Sequence, residues 1–309
     1  MTIRPALIGM LATAFVLILV PTAPAATTLG SSCTANGSSP GAVFQVTSAA
    51  DANYTVPSSG VITKWGSVLP PYPGGITARM KVITPVAGSP GNFVVKAESA
   101  IESLPPGANS FGTRIAVSAG DQIASQSSIG VVYCSTADPT DVVDIFTPPG
   151  DPAVGSTVTA AGTPGTNMRL ALNAVLEPDA DGDGYGDESQ DQCPQSAARQ
   201  SACPVVKLQK FIILGEKSLS VAVTSTDATK VTLAGSVKIG KKKVKLGPIS
   251  KALVIGDLGI LKLKYPSALK RAIQQSPRST RFKLKLSLNA TSVLPFTPVP
   301  VNVTLSGSR

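Results

Sequence analysis

Asp179, Asp181 and Asp183 alternate along the chain and are followed by Gly184, Tyr185, Asp187 and Asp191. Alternating carboxylates on a curled loop can all point inward. A glycine after the third one permits the sharp turn that a wrapped cation needs. Tyr185 can lend its backbone carbonyl, and Asp187 stands at the ninth loop position, which contributes directly or through water. These are hard oxygen donors at the offsets that Ca²⁺ requires. The twelfth position, where a bidentate acid closes an EF-hand shell, is the neutral Gln190. Glu188 or Asp191 must then close it. The other reading is an acidic solvated linker. Its weakness is that residues 177–191 hold seven acids and no base, whose repulsion nothing local relieves.

The full stretch, D-A-D-G-D-G-Y-G-D-E-S-Q-D-Q-C-P over residues 179–194, resembles a thrombospondin type 3 repeat, D-x-D-x-D-G-x-x-D-x-x-D-x-C-P. The resemblance implies calcium held by Asp179, Asp181, Asp183, Tyr185 and Asp187. The last aspartate of the pattern corresponds to Asp191, displaced by one residue.

Other chemistries are narrowed by composition. The chain contains no histidine. A Ser-His-Asp triad, a Cys-His pair and His-ligated zinc are therefore excluded. Cys33, Cys134, Cys193 and Cys203 contain no C-x-x-C knuckle, so a Cys₄ zinc site is disfavoured and disulfides are expected. Pairing within each region gives Cys33–Cys134 and Cys193–Cys203. Two further sets of residues invite a carbohydrate reading. Tyr54, Trp65 and Tyr72 could stack on sugar faces, though a core role suits Trp65 better. Asp138, Asp141 and Asp144 could include a hydrolytic carboxylate pair, though a solvated loop is the expectation.

The elements that must carry these residues follow from turn and charge pattern. Residues 1–25 read as a secretory leader: Arg4, an apolar run from Ala6 to Val20, then Ala23-Pro24-Ala25 as a cleavage site. An exported, extracellular protein with no membrane span in its mature chain is expected. Residues 26–176 carry a net charge of −2 and break into short apolar or alternating runs between Pro/Gly clusters, as in an antiparallel, jelly-roll-like β-sandwich. Residues 177–204 are the acidic linker. Residues 205–309 carry a net charge of +16 and alternate leucine or valine with lysine, with a hairpin turn at Gly240-Lys241-Lys242 and one short helix over 267–275. That part looks like an immunoglobulin-like β-sandwich of exported bacterial proteins.

The expectation is therefore an all-β chain of two sandwiches joined by a calcium-binding linker. Its role would be non-enzymatic, structural or binding, at the cell surface or wall. The rival is an extracellular polysaccharide hydrolase or carbohydrate-binding protein. The lysines fit either an anionic cell-wall polymer or glycan, or a solvated face that protects sheet edges. Nucleic acid is not expected, because no aromatics are interleaved for base stacking.

Overall fold

A computed structural model describes residues 25–39, 42–50, 52–71, 76–128, 131–214, 217–256, 258–291 and 299–306. The leader, apart from Ala25, and Tyr72 lie outside the described residues.

The first half of the chain supplies β1 (Thr27–Gly30), β2 (Gly37–Ser39), β3 (Ala42–Thr47), β4 (Gly60–Leu69), β5 (Ile76–Pro85), β6 (Asn92–Glu98), β7 (Glu102–Leu104) and β8 (Gly107–Val117). It continues through β9 (Gln122–Ser127), β10 (Val131–Ser135), β11 (Val142–Thr147), β12 (Thr157–Ala160), β13 (Gly165–Thr166), β14 (Met168–Leu170) and β15 (Asn173–Glu177). One sheet runs β1-β15-β4-β8, a small one β14-β10-β2, and the largest β12-β6-β5-β9-β3-β11-β13 with β7 beside β5. Their inner faces meet over Leu29, Ile62, Trp65, Met80, Leu170 and Leu172. Each such side chain contributes about 1.5–3 kcal/mol on burial.

Trp65 is core, tilted against Phe111 with ring centroids 5.1 Å apart. Tyr54 is also buried, its hydroxyl donating to the Leu170 carbonyl at 2.5 Å. Neither can present a face to a sugar. The Cys33–Cys134 bridge forms and ties the β1–β2 connection to β10.

The aspartates expected in a solvated loop are placed otherwise. Asp144 lies on β11, and both it and Asp141 are buried. Burial is tolerated because each carboxylate has partners. Arg169 forks onto Asp141 at 2.8 and 3.1 Å, and the Ala49 N–H donates to it at 3.0 Å. Asp144 accepts from the N–H groups of Ile145 and Gly162 at 2.8 and 3.1 Å. Asp138 is half-buried and caps its own turn through Thr140.

Burial opposes ionisation of Asp141. The hydrogen bonds from Ala49 and Arg169 outweigh it and hold the carboxyl below the usual 3.8. Asp121 follows the same rule, with Lys96 and Thr84 as donors. Stability from such groups is fully present above their unfolded value and is lost as pH falls through the lower folded value. Denaturant midpoints should therefore hold steady near neutrality and drop below about pH 4. In Asp141→Asn the wild-type protein's extra acid sensitivity should shrink. An unchanged pH profile in that variant would remove Asp141 from the account.

The second half supplies β16 (Val206–Leu214), β17 (Ser218–Ser225), β18 (Thr229–Ile239), β19 (Lys242–Leu253), β20 (Leu258–Lys264), α1 (Ser267–Gln275), β21 (Arg281–Thr291) and β22 (Val299–Ser306). One sheet runs β16-β17-β20 and the other β19-β18-β21-β22. The alternation reads directly into structure. On β21, Phe282, Leu284, Leu286 and Leu288 are buried while Arg281, Lys283 and Lys285 face outward. Helix α1 occupies the expected segment and buries Leu269 and Ile273.

Strand pairings are antiparallel throughout the named strands. The all-β expectation holds. Among the described residues no helix is long and apolar enough to cross a membrane.

Candidate metal centre

The acidic stretch is built onto the end of β15. Glu177 pairs with Val61 on β4 and turns its buried carboxylate toward the loop. There it accepts the N–H groups of Glu188 and Ser189 at 3.0 and 2.9 Å. It also accepts the hydroxyls of Ser189 and Thr63 at 2.6 and 2.8 Å. Burial disfavours the charge, but these donors prevail and hold the carboxyl below its ordinary 4.5. Gly186 fits because there is no room for more: a Cβ would stand 2.5 Å from both Glu177 Oε2 and Thr63 Cγ2.

Two further contacts dock the loop on β8. Gln190 Nε2 donates to the Thr113 carbonyl at 2.7 Å, and the Arg114 guanidinium lies 4.1 Å over the Tyr185 ring. On the far side, Gln200 Nε2 donates to Asp183 Oδ2 at 2.7 Å. The Cys193–Cys203 bridge closes the exit, and Arg199 pairs with Asp227 of the second half.

Within this frame the loop coils on itself. Asp179 accepts the N–H groups of Gly182, Asp183 and Gly184 at 2.8, 3.1 and 3.0 Å. Asp183 accepts that of Tyr185 at 2.8 Å. Gly182 and Gly184 take φ of 75° and 82°, a left-handed backbone that side chains resist. The result brings Asp179, Asp181 and Asp183 together, with one oxygen from each within 4.8 Å of the others. Oxygens sharing one Ca²⁺ at 2.3–2.6 Å stand no more than about 5.2 Å apart, so the spacing fits.

Asp187 and Asp191 fall outside that trio but close to it. Burial, and then the Asp183 charge, raises the Asp181 carboxyl above 3.8, with Asp191 adding to the effect. Burial also raises that of Asp187, together with the charges of Asp179, Asp181 and Asp191. Asp191 is buried, accepts the Cys193 N–H on Oδ1 at 2.7 Å, and leaves Oδ2 without a partner. Asp181 Oδ2 is likewise buried and unpartnered. Glu188 is exposed and turns toward β1, where Oε1 accepts the Ala26 N–H at 2.6 Å.

Sequence reasoning missed three contributors. Glu177 was counted only as one acid among seven. Gln200 sits beyond the motif. Ser196 is buried with an unpartnered Oγ, and its N–H donates to the Cys193 carbonyl at 3.0 Å. Only Glu177 carried a signal, as the last residue of an apolar strand run. Chemically the cluster offers oxygen donors alone, which suits a hard cation rather than zinc or copper.

No family model matches the chain, and no curated protein sequence matches it. Solved structures with some likeness include β-glucuronidases. The Bacteroides uniformis enzyme is 9% identical, with a TM-score of 0.19 over 87% of this chain and 26% of that one. The Ruminococcus gnavus enzyme is 10% identical, at 0.18 over 86% and 36%. The Dictyoglomus thermophilum enzyme is 13% identical, at 0.18 over 88% and 45%. The chain spans less than half the length of each, and at such scores the likeness carries no argument about activity.

Proposed function

We propose that this is an exported, non-enzymatic protein of the cell surface whose 177–204 segment is a thrombospondin type 3-like calcium loop. The observation that carries the reading is the grouping of Asp179, Asp181 and Asp183 beside the buried, unpartnered Oδ2 of Asp191. An orphaned buried carboxylate oxygen costs free energy, and a cation removes that cost. Asp179, Asp181, Asp183, Asp187 and Asp191 hold the ion, with the Tyr185 carbonyl as the remaining protein ligand. Asp191 serves better than Glu188 as the closing acid, because Glu188 is engaged with Ala26.

Export is supported by the two disulfides. Cleavage after Ala25 turns the Ala26 amide into an α-ammonium, and its bond to Glu188 becomes an ion pair. The ion orders the segment that links the two β units. Limited proteolysis of the chain starting at Ala26 tests this. Millimolar calcium should protect 177–204, and Asp181→Ala with Asp183→Ala should abolish protection. Equal cleavage with and without calcium would sink the proposal.

One observation favours a carbohydrate-binding role for the first unit. A hollow of about 460 Å³ is lined by Phe44, Phe93, Gln122 and Asp144, and Gln122 Oε1 is buried without a partner. The Phe44 and Phe93 rings are buried against Phe146, so it is the waiting Gln122 acceptor in a hollow of this size that suits a hydroxyl-bearing ligand. Glycan screening that finds a ligand insensitive to Gln122→Ala would place that ligand elsewhere.

A further inference from the structure

The outer face of the β19-β18-β21-β22 sheet forms an open trough of about 800 Å³ lined by Lys238, Lys241, Lys243, Lys283, Lys285 and Arg281. The strand register places like charges against one another. Lys238 pairs directly with Lys243, and Ser236 has Lys245 on one side and Lys285 on the other. Like charges opposite each other on a sheet are destabilising. Nothing nearby compensates: among the described residues, Lys238, Lys241, Lys243, Lys283 and Lys285 meet no carboxylate within ion-pair distance. Residues 205–309 contain only three acids, and the described one, Asp227, is paired with Arg199.

Edge protection does not account for this arrangement. It needs lysines on edge strands, whereas Lys238, Lys283 and Lys285 stand on β18 and β21, the two inner strands. Solubility is served as well by mixed charge. A single-sign concavity at the centre of a sheet is what a polyanion would fill.

We infer that this trough binds a linear phosphodiester-linked polyol polymer. The inference extends the cell-surface reading but does not depend on the calcium loop. Charges here repeat about every 5 Å across the strands and about 7 Å along them, which suits one anion per short repeat. Five lysines to one arginine favour phosphate, which lysine binds as a point charge. Arginine's planar fork is the better partner for carboxylate. The lining has no aromatic residue for nucleobases to stack on and no apolar anchor for a bilayer.

The test is binding of the chain starting at Ala26 to purified poly(glycerol phosphate), across about 0.05–0.5 M salt, in calcium and in EDTA. Affinity should fall steeply with salt and be equal in both. Lys238→Gln, Lys283→Gln and Lys285→Gln together should weaken it about tenfold or more. Lys217→Gln, Lys262→Gln and Lys264→Gln together, on the other sheet and equal in charge, should leave it near the unsubstituted level. Thermal melts check that both triple variants fold. The inference fails if the two triple variants lose equally, or if there is no binding at low salt. Tighter binding of polygalacturonate, anionic vesicles or a single-stranded oligonucleotide would also overturn it, as would loss of binding in EDTA. Polymer binding by a protein that takes up no calcium would leave the trough standing and refute only the loop.

Discussion

Replacing Cys33 and Cys134 with alanine is expected to lower the stability of the first β unit by about 4–5 kcal/mol. The bridge joins positions 101 residues apart, so in the chain-entropy model it removes a large share of the unfolded chain's freedom. It is also integral to packing. Cys134 is buried on β10 between β2 and β14, and Cys33 packs against the main core. Removing it also frees the β1–β2 connection from β10, next to the strand that lies against β15 and leads the chain past Glu188. The midpoint of thermal unfolding should fall by roughly 10–15 °C for a unit of this size. Trp65 is the sole tryptophan and lies in this core, so its fluorescence reports the unit without interference from the second. The shorter Cys193–Cys203 loop should matter less to global stability, at roughly 2–3 kcal/mol. A loss below about 1 kcal/mol in the Cys33/Cys134 variant would mean that the denatured chain is already constrained there.

Glu177→Ala is expected to cost about 2–4 kcal/mol and to weaken calcium binding by at least about tenfold. Four donors converge on this one buried carboxylate, and three of them, the Glu188 and Ser189 amides and the Ser189 hydroxyl, belong to the loop. Without it Thr63 is left buried and unpaired, and the turn carrying Asp187 loses its hold on β15. Gln190 and Tyr185 would then be the contacts left to dock the loop on β8. Glu177→Gln keeps one acceptor oxygen and should fall between wild type and alanine in both measurements. Trp65 unfolding and a calcium titration on the same preparations separate the two effects. A stability loss with unchanged affinity would show that the loop organises itself around the metal without this anchor.

Local pattern explains what could be read in advance. The alternation on β21, the turn at Gly240, with φ of 57°, and the helix over Ser267–Gln275 are each decided by neighbours in sequence. The Asp179–Asp183 cluster is legible for the same reason, since the glycines and the alternating acids that favour a coiled loop are neighbours in sequence. What was misread depends on distant partners. Asp141 looked solvated because Arg169, which makes its burial tolerable, is 28 residues away. Lys81 is fully buried on β5, held by Glu98 and Asp151, and no period-two rule predicts a lysine facing inward. Strands β9 and β11 carry no clear local signal, because their buried positions include serine and aspartate rather than an apolar run. The role of Glu177 is not legible locally, because it joins three loop donors 11–12 residues on to Thr63, 114 residues back.

The central claim is one calcium ion held by residues 179–191. Calorimetric titration of calcium into the metal-stripped chain beginning at Ala26 tests it most directly. One ion per chain is predicted, with a dissociation constant of about 10⁻⁴–10⁻³ M, as for extracellular calcium modules. Excess magnesium should compete poorly, because it holds its water and demands octahedral geometry. Asp181→Ala with Asp183→Ala should remove the heat of binding altogether. No binding at about 10 mM calcium, or an undiminished stoichiometry in that double variant, would contradict the account.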